Sequence, residues 1–132
     1  KTLILFYDTV LSKGKIEAKY KELAYLKTSI INECQYWTLA HTASAKQAGV
    51  TDKQIQELGF YRRSEAFDEK EKITIRFADI VTRGATAVDA AVLQYVGKYY
   101  SEDEIVELTM VIGLANLVNR INDTLQVEPD LG

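Results

Sequence analysis

The 132-residue chain has little of what many folds and sites require: one cysteine, one histidine, one tryptophan, one methionine and one proline. A single cysteine excludes an intrachain disulfide framework. A lone Cys and a lone His rule out a zinc finger and leave no His-rich metal site, so no metal and no other cofactor is expected. With one proline and seven glycines the chain is neither collagen-like nor linker-rich. No excess of positive charge exists either: the formal net charge is −3, against the concentrated basic face of a nucleic-acid binder. The longest nearly unbroken apolar run, Leu108 to Val118, is too short to span a bilayer. Lys1 to Tyr7 superficially resembles the start of a signal peptide. Its apolar stretch is five residues, Tyr7-Asp8 closes it, and no small-residue cleavage site follows. The chain opens on Lys1 rather than Met, which is compatible with a trimmed leader. The expected compartment is the cytoplasm, where a free thiol is at home.

What is present is apolar surface, 47% of residues, enough to offset the entropy of ordering one domain over 1–132. The patterning is helical from end to end, which predicts an all-α bundle. Leu3 to Leu11 is a short apolar segment closed by Ser12-Lys13-Gly14. Ile16 to Ile31 is a helix with Leu23, Ala24, Leu26, Ile30 and Ile31 on its buried stripe, and a break falls near Asn32-Glu33. A second helix runs from about Cys34 to Ala48, with Gly49 as its stop. Capping-box sequences at Thr51–Gln54, Asp68–Glu71 and Ser101–Glu104 open helices reaching Leu58, Arg83 and about Leu125; Asp89 to Gly97 is a further short helix. The last helix is apolar around nearly its whole circumference from Ile105 to Val118. Such a sleeve predicts a central helix with one face against another subunit, hence a homo-oligomer.

The sole cysteine and sole histidine lie seven residues apart in Cys34-Gln35-Tyr36-Trp37-Thr38-Leu39-Ala40-His41. On one helix that is two turns, about 10 Å along the axis, with Trp37 between them on the same face. Glu22 precedes Cys34 by twelve residues. Antiparallel packing across the break near residue 33 would bring it to His41, fixing the ring's tautomer and raising its basicity, as a proton relay needs. Each group has a plainer reading: Cys34 as a small buried hydrophobe, His41 as structural, Trp37 as packing. Trp37 as a pocket wall would need an acceptor for its N–H, for which Glu22 is the candidate. Asn116, Asn119 and Arg120 share one face of the last helix, either as a polar network around a buried arginine or as contacts to a polar substrate. Tyr20, Tyr25, Tyr95, Tyr99 and Tyr100 read as packing and interface residues, and Arg62-Arg63 is too small a cluster for nucleic acid.

The stretch from Lys21-Glu22-Leu23 through Asn32-Glu33-Cys34-Gln35-Tyr36-Trp37, Ala40-His41 and Ala48-Gly49-Val50-Thr51 resembles the alkylhydroperoxidase D / carboxymuconolactone decarboxylase family. Glu71-Lys72, Arg76-Phe77-Ala78 and the final Asn116-Leu117-Val118-Asn119-Arg120 extend the likeness to residues 18–130. The resemblance implies an all-α bundle assembling as trimers or hexamers. It implies an antioxidant oxidoreductase that reduces hydroperoxides with a cysteine pair recharged by a dithiol partner. Glu22 would be the relay carboxylate, Cys34 the first cysteine and His41 the relay histidine; Tyr36, Trp37, Asn116, Asn119 and Arg120 would line the small-molecule substrate site. The departure is Trp37, which stands where the family's peroxide-attacking cysteine falls, while Tyr36 replaces a histidine. A dithiol cycle is therefore closed to this chain. One thiol allows at most a one-cysteine peroxidase, passing through a sulfenic acid resolved by an external thiol. The alternatives are a non-catalytic ligand-binding member and a lyase or isomerase on a lactone-type acid, using His41 and Glu22 without sulfur.

Overall fold

The computed structural model describes residues 1–129, which form seven α-helices and two short 3₁₀ turns. In chain order they are α1 (Thr2–Ser12), α2 (Ala18–Ile31), α3 (Gln35–Gln47), α4 (Asp52–Glu57), α5 (Glu69–Gly84), α6 (Ala90–Val96) and α7 (Glu102–Thr124). None of these helices is long and apolar enough to cross a membrane.

Local chemistry sets the starts. Each expected capping box closes in both directions: Gln54 N–H donates to Thr51 Oγ1 at 3.1 Å, for instance, and Thr51 N–H to Gln54 Oε1 at 3.0 Å. Asp68 with Glu71 and Ser101 with Glu104 repeat the arrangement at α5 and α7. Each satisfied cap is worth about 1 kcal/mol. Gly49, at φ +101°, ends α3 in the left-handed region that favours glycine. The break before α3 is sharper than the sequence suggests. Glu33 has φ 56° and Cys34 is the extended N-cap of α3, so the cysteine stands outside the helix that carries Trp37 and His41.

The central helix is α2, not α7. From Tyr20 to Ser29 every residue of α2 except Glu22 is buried, and it packs against α3, α5 and α7. Ala24 and Tyr25 join a cluster with Phe77, Leu108, Val111 and Ile112, whereas Leu23 and Leu26 join another with Ala45, Leu58 and Ile75. The apolar sleeve of α7 therefore splits into two faces. Leu108, Val111, Ile112, Leu114, Ala115 and Val118 enter the core, while Val106, Met110, Leu117 and Ile121 face outward. Leu3, Ile4, Leu5 and Phe6 of α1, which packs on α7, are exposed as well.

The turn from α1 to α2 is tied by buried ionic chemistry absent from the sequence reading. Lys21 Nζ donates to Val10 O at 2.7 Å and to Lys13 O at 2.5 Å, and lies 3.8 Å from Glu107 Oε2. The Glu107 carboxylate in turn accepts the backbone N–H groups of Lys15 (2.9 Å) and Ile16 (2.8 Å). A buried ammonium is tolerated when its donors are met and a counter-charge is near. This anchor holds α1 across the top of α2 and α3.

Candidate functional site

Three helices converge on the only imidazole. His41 on α3 is 2% exposed. Its Nδ1 lies 2.6 Å from Glu22 Oε2 on α2, and its Nε2 lies 2.7 Å from the Tyr7 hydroxyl on α1. Burial, with the nearby Glu22 carboxylate, pushes the Tyr7 phenol well above its ordinary value. Tyr7 therefore keeps its proton. With a neutral ring, it donates to Nε2, and the ring proton on Nδ1 is donated to Glu22. The result is a continuous chain, Tyr7 O–H to Nε2 and Nδ1–H to carboxylate. A carboxylate on the far nitrogen fixes the ring's orientation and is placed to stabilise an imidazolium when the near nitrogen takes a proton.

Aromatic rings enclose the chain. The Tyr25 ring stacks on His41 with centroids 3.6 Å apart and planes 16° off parallel. Trp37 lies 5.7 Å from His41, 5.5 Å from Tyr7 and 6.0 Å from Tyr25. The helical periodicity explains both pairs: Glu22 and Tyr25 are three residues apart on α2, Trp37 and His41 four apart on α3. Two buried side-chain polar atoms without a hydrogen-bond partner are Tyr25 Oη and Trp37 Nε1, and both belong to rings around His41. An unmet buried polar group costs roughly 1–3 kcal/mol, and two such atoms lie beside one imidazole. The expected acceptor for Trp37 is corrected here: Glu22 is engaged by His41 and the indole N–H is unpaired.

Cys34 is elsewhere in chemical terms. It is 1% exposed, and both ring nitrogens of His41 are taken by other partners. Burial pushes its thiol up from the ordinary value. The α3 amides of Trp37 and Tyr36 pull it back, and the carboxylate of Asp123 pushes it further up. The thiol is thus protonated at neutral pH and needs a more alkaline solution than a free cysteine to become a nucleophile. Native protein at pH 7.5 is expected to react with iodoacetamide at least about tenfold more slowly than denatured protein; equal rates, followed by intact mass, would contradict this.

The remaining expected residues fall into two other places. Tyr36 packs on Trp37 with centroids 5.1 Å apart and lines a surface cleft of about 420 Å³ with Asn32, Glu33, Asp123 and Pro129. Asn116 and Asn119 clamp α7 to α2: Asn32 Nδ2 donates to Asn116 Oδ1 at 2.9 Å and to Asn119 Oδ1 at 3.0 Å, and Asn119 donates to Ser29 Oγ at 3.1 Å. Arg120 is exposed, not buried, and donates to Asn116 Oδ1 at 2.8 Å. This is the polar network of the sequence reading, without the buried arginine, and no hydrogen bond joins it to His41. Tyr7 was missed because the opening segment shows only its apolar character, and nothing in a linear pattern pairs residues 34 positions apart.

A sequence model of the carboxymuconolactone decarboxylase family matches residues 1–79, which contain Tyr7, Glu22, Cys34 and His41. Among curated relatives, the uncharacterised protein YdfG of Bacillus subtilis is 24% identical over 111 residues, covering 83% of this chain and 76% of that protein. Among solved structures, a protein of unknown function from Agrobacterium tumefaciens, provisionally described as the antioxidant defence protein AhpD, superposes with a TM-score of 0.92 at 26% identity, covering 99% of this chain and 90% of its own. The debrominase Bmp8, solved with 2,3,4-tribromopyrrole, has the same fold at a TM-score of 0.86 and 16% identity, covering 98% of this chain and 70% of its own. With three-fifths of its length matched by the family model, and an AhpD-like bundle superposing over 99% of it, the chain belongs to the carboxymuconolactone decarboxylase family.

Proposed function

We propose that this chain is an acid–base enzyme whose working group is His41, acting on a small organic acid of the lactone type without thiol chemistry. The observation that carries the reading is the Glu22–His41–Tyr7 chain, with Nδ1 held by a carboxylate and Nε2 by an exchangeable hydroxyl. In the closed state Tyr7 Oη occupies the position on Nε2 where a reacting proton sits. When a substrate displaces it, Nε2 removes the substrate's proton, Glu22 stabilises the imidazolium, and the same proton returns to the product. The enclosing rings of Tyr25 and Trp37 keep water out and offer two hydrogen-bond donors to substrate oxygens.

A second reading is a one-cysteine peroxidase at Cys34. It is favoured by the antioxidant description of the Agrobacterium neighbour and by the α3 amides beside the thiol. One comparison separates the two. Turnover of a lactone acid retained in Cys34→Ser and lost in His41→Ala supports the first. Reduction of a hydroperoxide in the presence of a thiol, lost in Cys34→Ser, supports the second and overturns the first if the lactone acid is untouched.

We further propose a homo-oligomer of trimeric or hexameric size, covering the outward stripe Val106, Met110, Leu117 and Ile121 of α7 together with Leu3 to Phe6 of α1. Apolar faces of this kind mark subunit contacts. Sedimentation is expected to give a mass at least about three times that of the 14.9 kDa chain, reduced by Met110→Lys; a monomeric mass at micromolar concentration would remove the interface.

A further inference from the structure

Two lysines of α2 are buried, and only one of them is satisfied. Lys21 has two short carbonyl bonds and the Glu107 carboxylate close by. Lys27, 4% exposed, has a single long bond of 3.4 Å to Leu58 O and the face of Tyr61 at 5.1 Å. An ammonium carries three donors, and burying it so poorly paired is costly. Its neighbours make matters worse. Lys27 lines a cavity of about 330 Å³ together with Arg62, Arg63, Asp79 and Arg83. Four cations face one carboxylate there, in a protein whose net charge is −3. The carboxylate is also committed, since Arg83 Nε lies 2.5 Å from Asp79 Oδ1. Arg62 leans over Tyr61, its Cζ 5.8 Å from the ring centroid and its Nε 3.3 Å from the phenol oxygen. Its guanidinium edge is left for another acceptor.

We propose that this cavity, between α2, the 58–63 turn and α5, is a binding site for a small phosphate-bearing anion. Lys27 supplies a point charge at the floor and the guanidinium groups of Arg62 and Arg83 the rim. An arginine fork matches phosphate geometry, and a compact ammonium serves as its counter-charge. The opening at Gly59, where a side chain would meet nothing within 4 Å, and the exposed ring of Phe60 leave room for a small organic group attached to the phosphate. The volume suits a small ligand rather than a polymer. The site shares no residue with the Glu22–His41–Tyr7 chain and does not depend on the reading given to it.

The test is calorimetric titration of the full chain with inorganic phosphate and with glycerol 3-phosphate, in low salt, with acetate and matched chloride as controls. Phosphate is expected to bind with one site per chain, at least tenfold more tightly than acetate, and to raise Tm beyond chloride at equal ionic strength. In Lys27→Met the affinity falls at least tenfold while the ligand-free Tm is unchanged or higher, because an unsatisfied buried charge has been replaced by an isosteric apolar chain. In Arg62→Gln, an exposed position that gives up its contact with the Tyr61 phenol, affinity falls three- to tenfold. Glycerol 3-phosphate binding as tightly as phosphate, or more so, identifies an organic phosphate as the occupant; weaker binding identifies free phosphate. Either result keeps the site. No binding beyond the chloride control overturns the proposal, as does unchanged phosphate affinity in both variants. A ligand-free Tm that drops in Lys27→Met, with phosphate affinity unaltered in Arg62→Gln, gives Lys27 a purely structural role and overturns it too.

Discussion

Replacing His41 with alanine is expected to lower turnover of a lactone-acid substrate by about 10²- to 10⁴-fold, the range a positioned general base contributes. The expectation rests on connectivity rather than on histidine as a residue type. Nδ1 donates to Glu22 at 2.6 Å, so Nε2 is the basic nitrogen, and it points at an exchangeable hydroxyl 2.7 Å away. Glu22→Gln keeps an oxygen for Nδ1–H and removes the charge that stabilises the imidazolium, so a smaller loss of about 10- to 100-fold follows. Tyr7→Phe takes away the competing hydroxyl while leaving the ring that packs on Tyr25 and Trp37. Stability falls by about 1 kcal/mol for the lost hydrogen bond, and the apparent KM falls because substrate no longer displaces a phenol. A Tyr7→Phe enzyme with unchanged KM and a kcat reduced as far as that of His41→Ala would instead make Tyr7 a proton donor in the reaction. Steady-state kinetics on the three variants decide between these outcomes.

Gly14→Ala is expected to be the most damaging single-methyl change in the chain, at about 2–4 kcal/mol in denaturant unfolding. Two effects coincide there. Gly14 has φ +107°, outside the range that side-chain-bearing residues adopt readily. A Cβ at this position also overlaps the Glu107 carboxylate. That carboxylate is not free to swing away without loss, since it accepts the N–H groups of Lys15 and Ile16 and faces the buried Lys21 ammonium. Displacing it leaves two amides and a buried cation under-compensated. The control is Gly49→Ala, which shares the positive φ (+101°) but whose Cβ would meet nothing within 4 Å. It carries the backbone strain alone, about 1–2 kcal/mol. Equal effects at the two glycines would show that the Glu107 anchor contributes nothing.

The sequence made the helices legible because their ends are chemically marked. Capping boxes at Thr51, Asp68 and Ser101 are local signals, read within four residues and reproduced as such. Glu22 meeting His41 was also legible, since two helices joined by a tight break fold back on one another. What was not legible depends on burial of polar groups and on contacts between distant segments. The α2 stripe conceals Lys21, Lys27, Thr28 and Ser29 inside the core, where hydropathy places them outside. Periodicity assigned α7 the centre by its apolar residues, whereas burial of polar residues through hydrogen bonds gave that place to α2. Cys34 was drawn onto the helix of His41 by its spacing, although an extended N-cap places the thiol before the first turn. Tyr7 carries no local mark at all; the Lys21–Glu107 anchor and the burial of Val10 bring α1 to the imidazole.

In the proposed acid–base reaction, the hydroxyl on Nε2 is an internal competitor tethered beside the base it covers. Linked through fewer than ten residues to the Lys21 anchor, it meets the imidazole as an intramolecular partner, at a concentration set by the tether rather than by the solution. Any molecule reaching His41 must first win that exchange, so measured affinity understates the intrinsic fit by the fraction of time the phenol is docked. On that reading the first helix sets the threshold for admission, and a neighbouring subunit gripping its bare apolar side would raise or lower that threshold without touching His41 or Glu22.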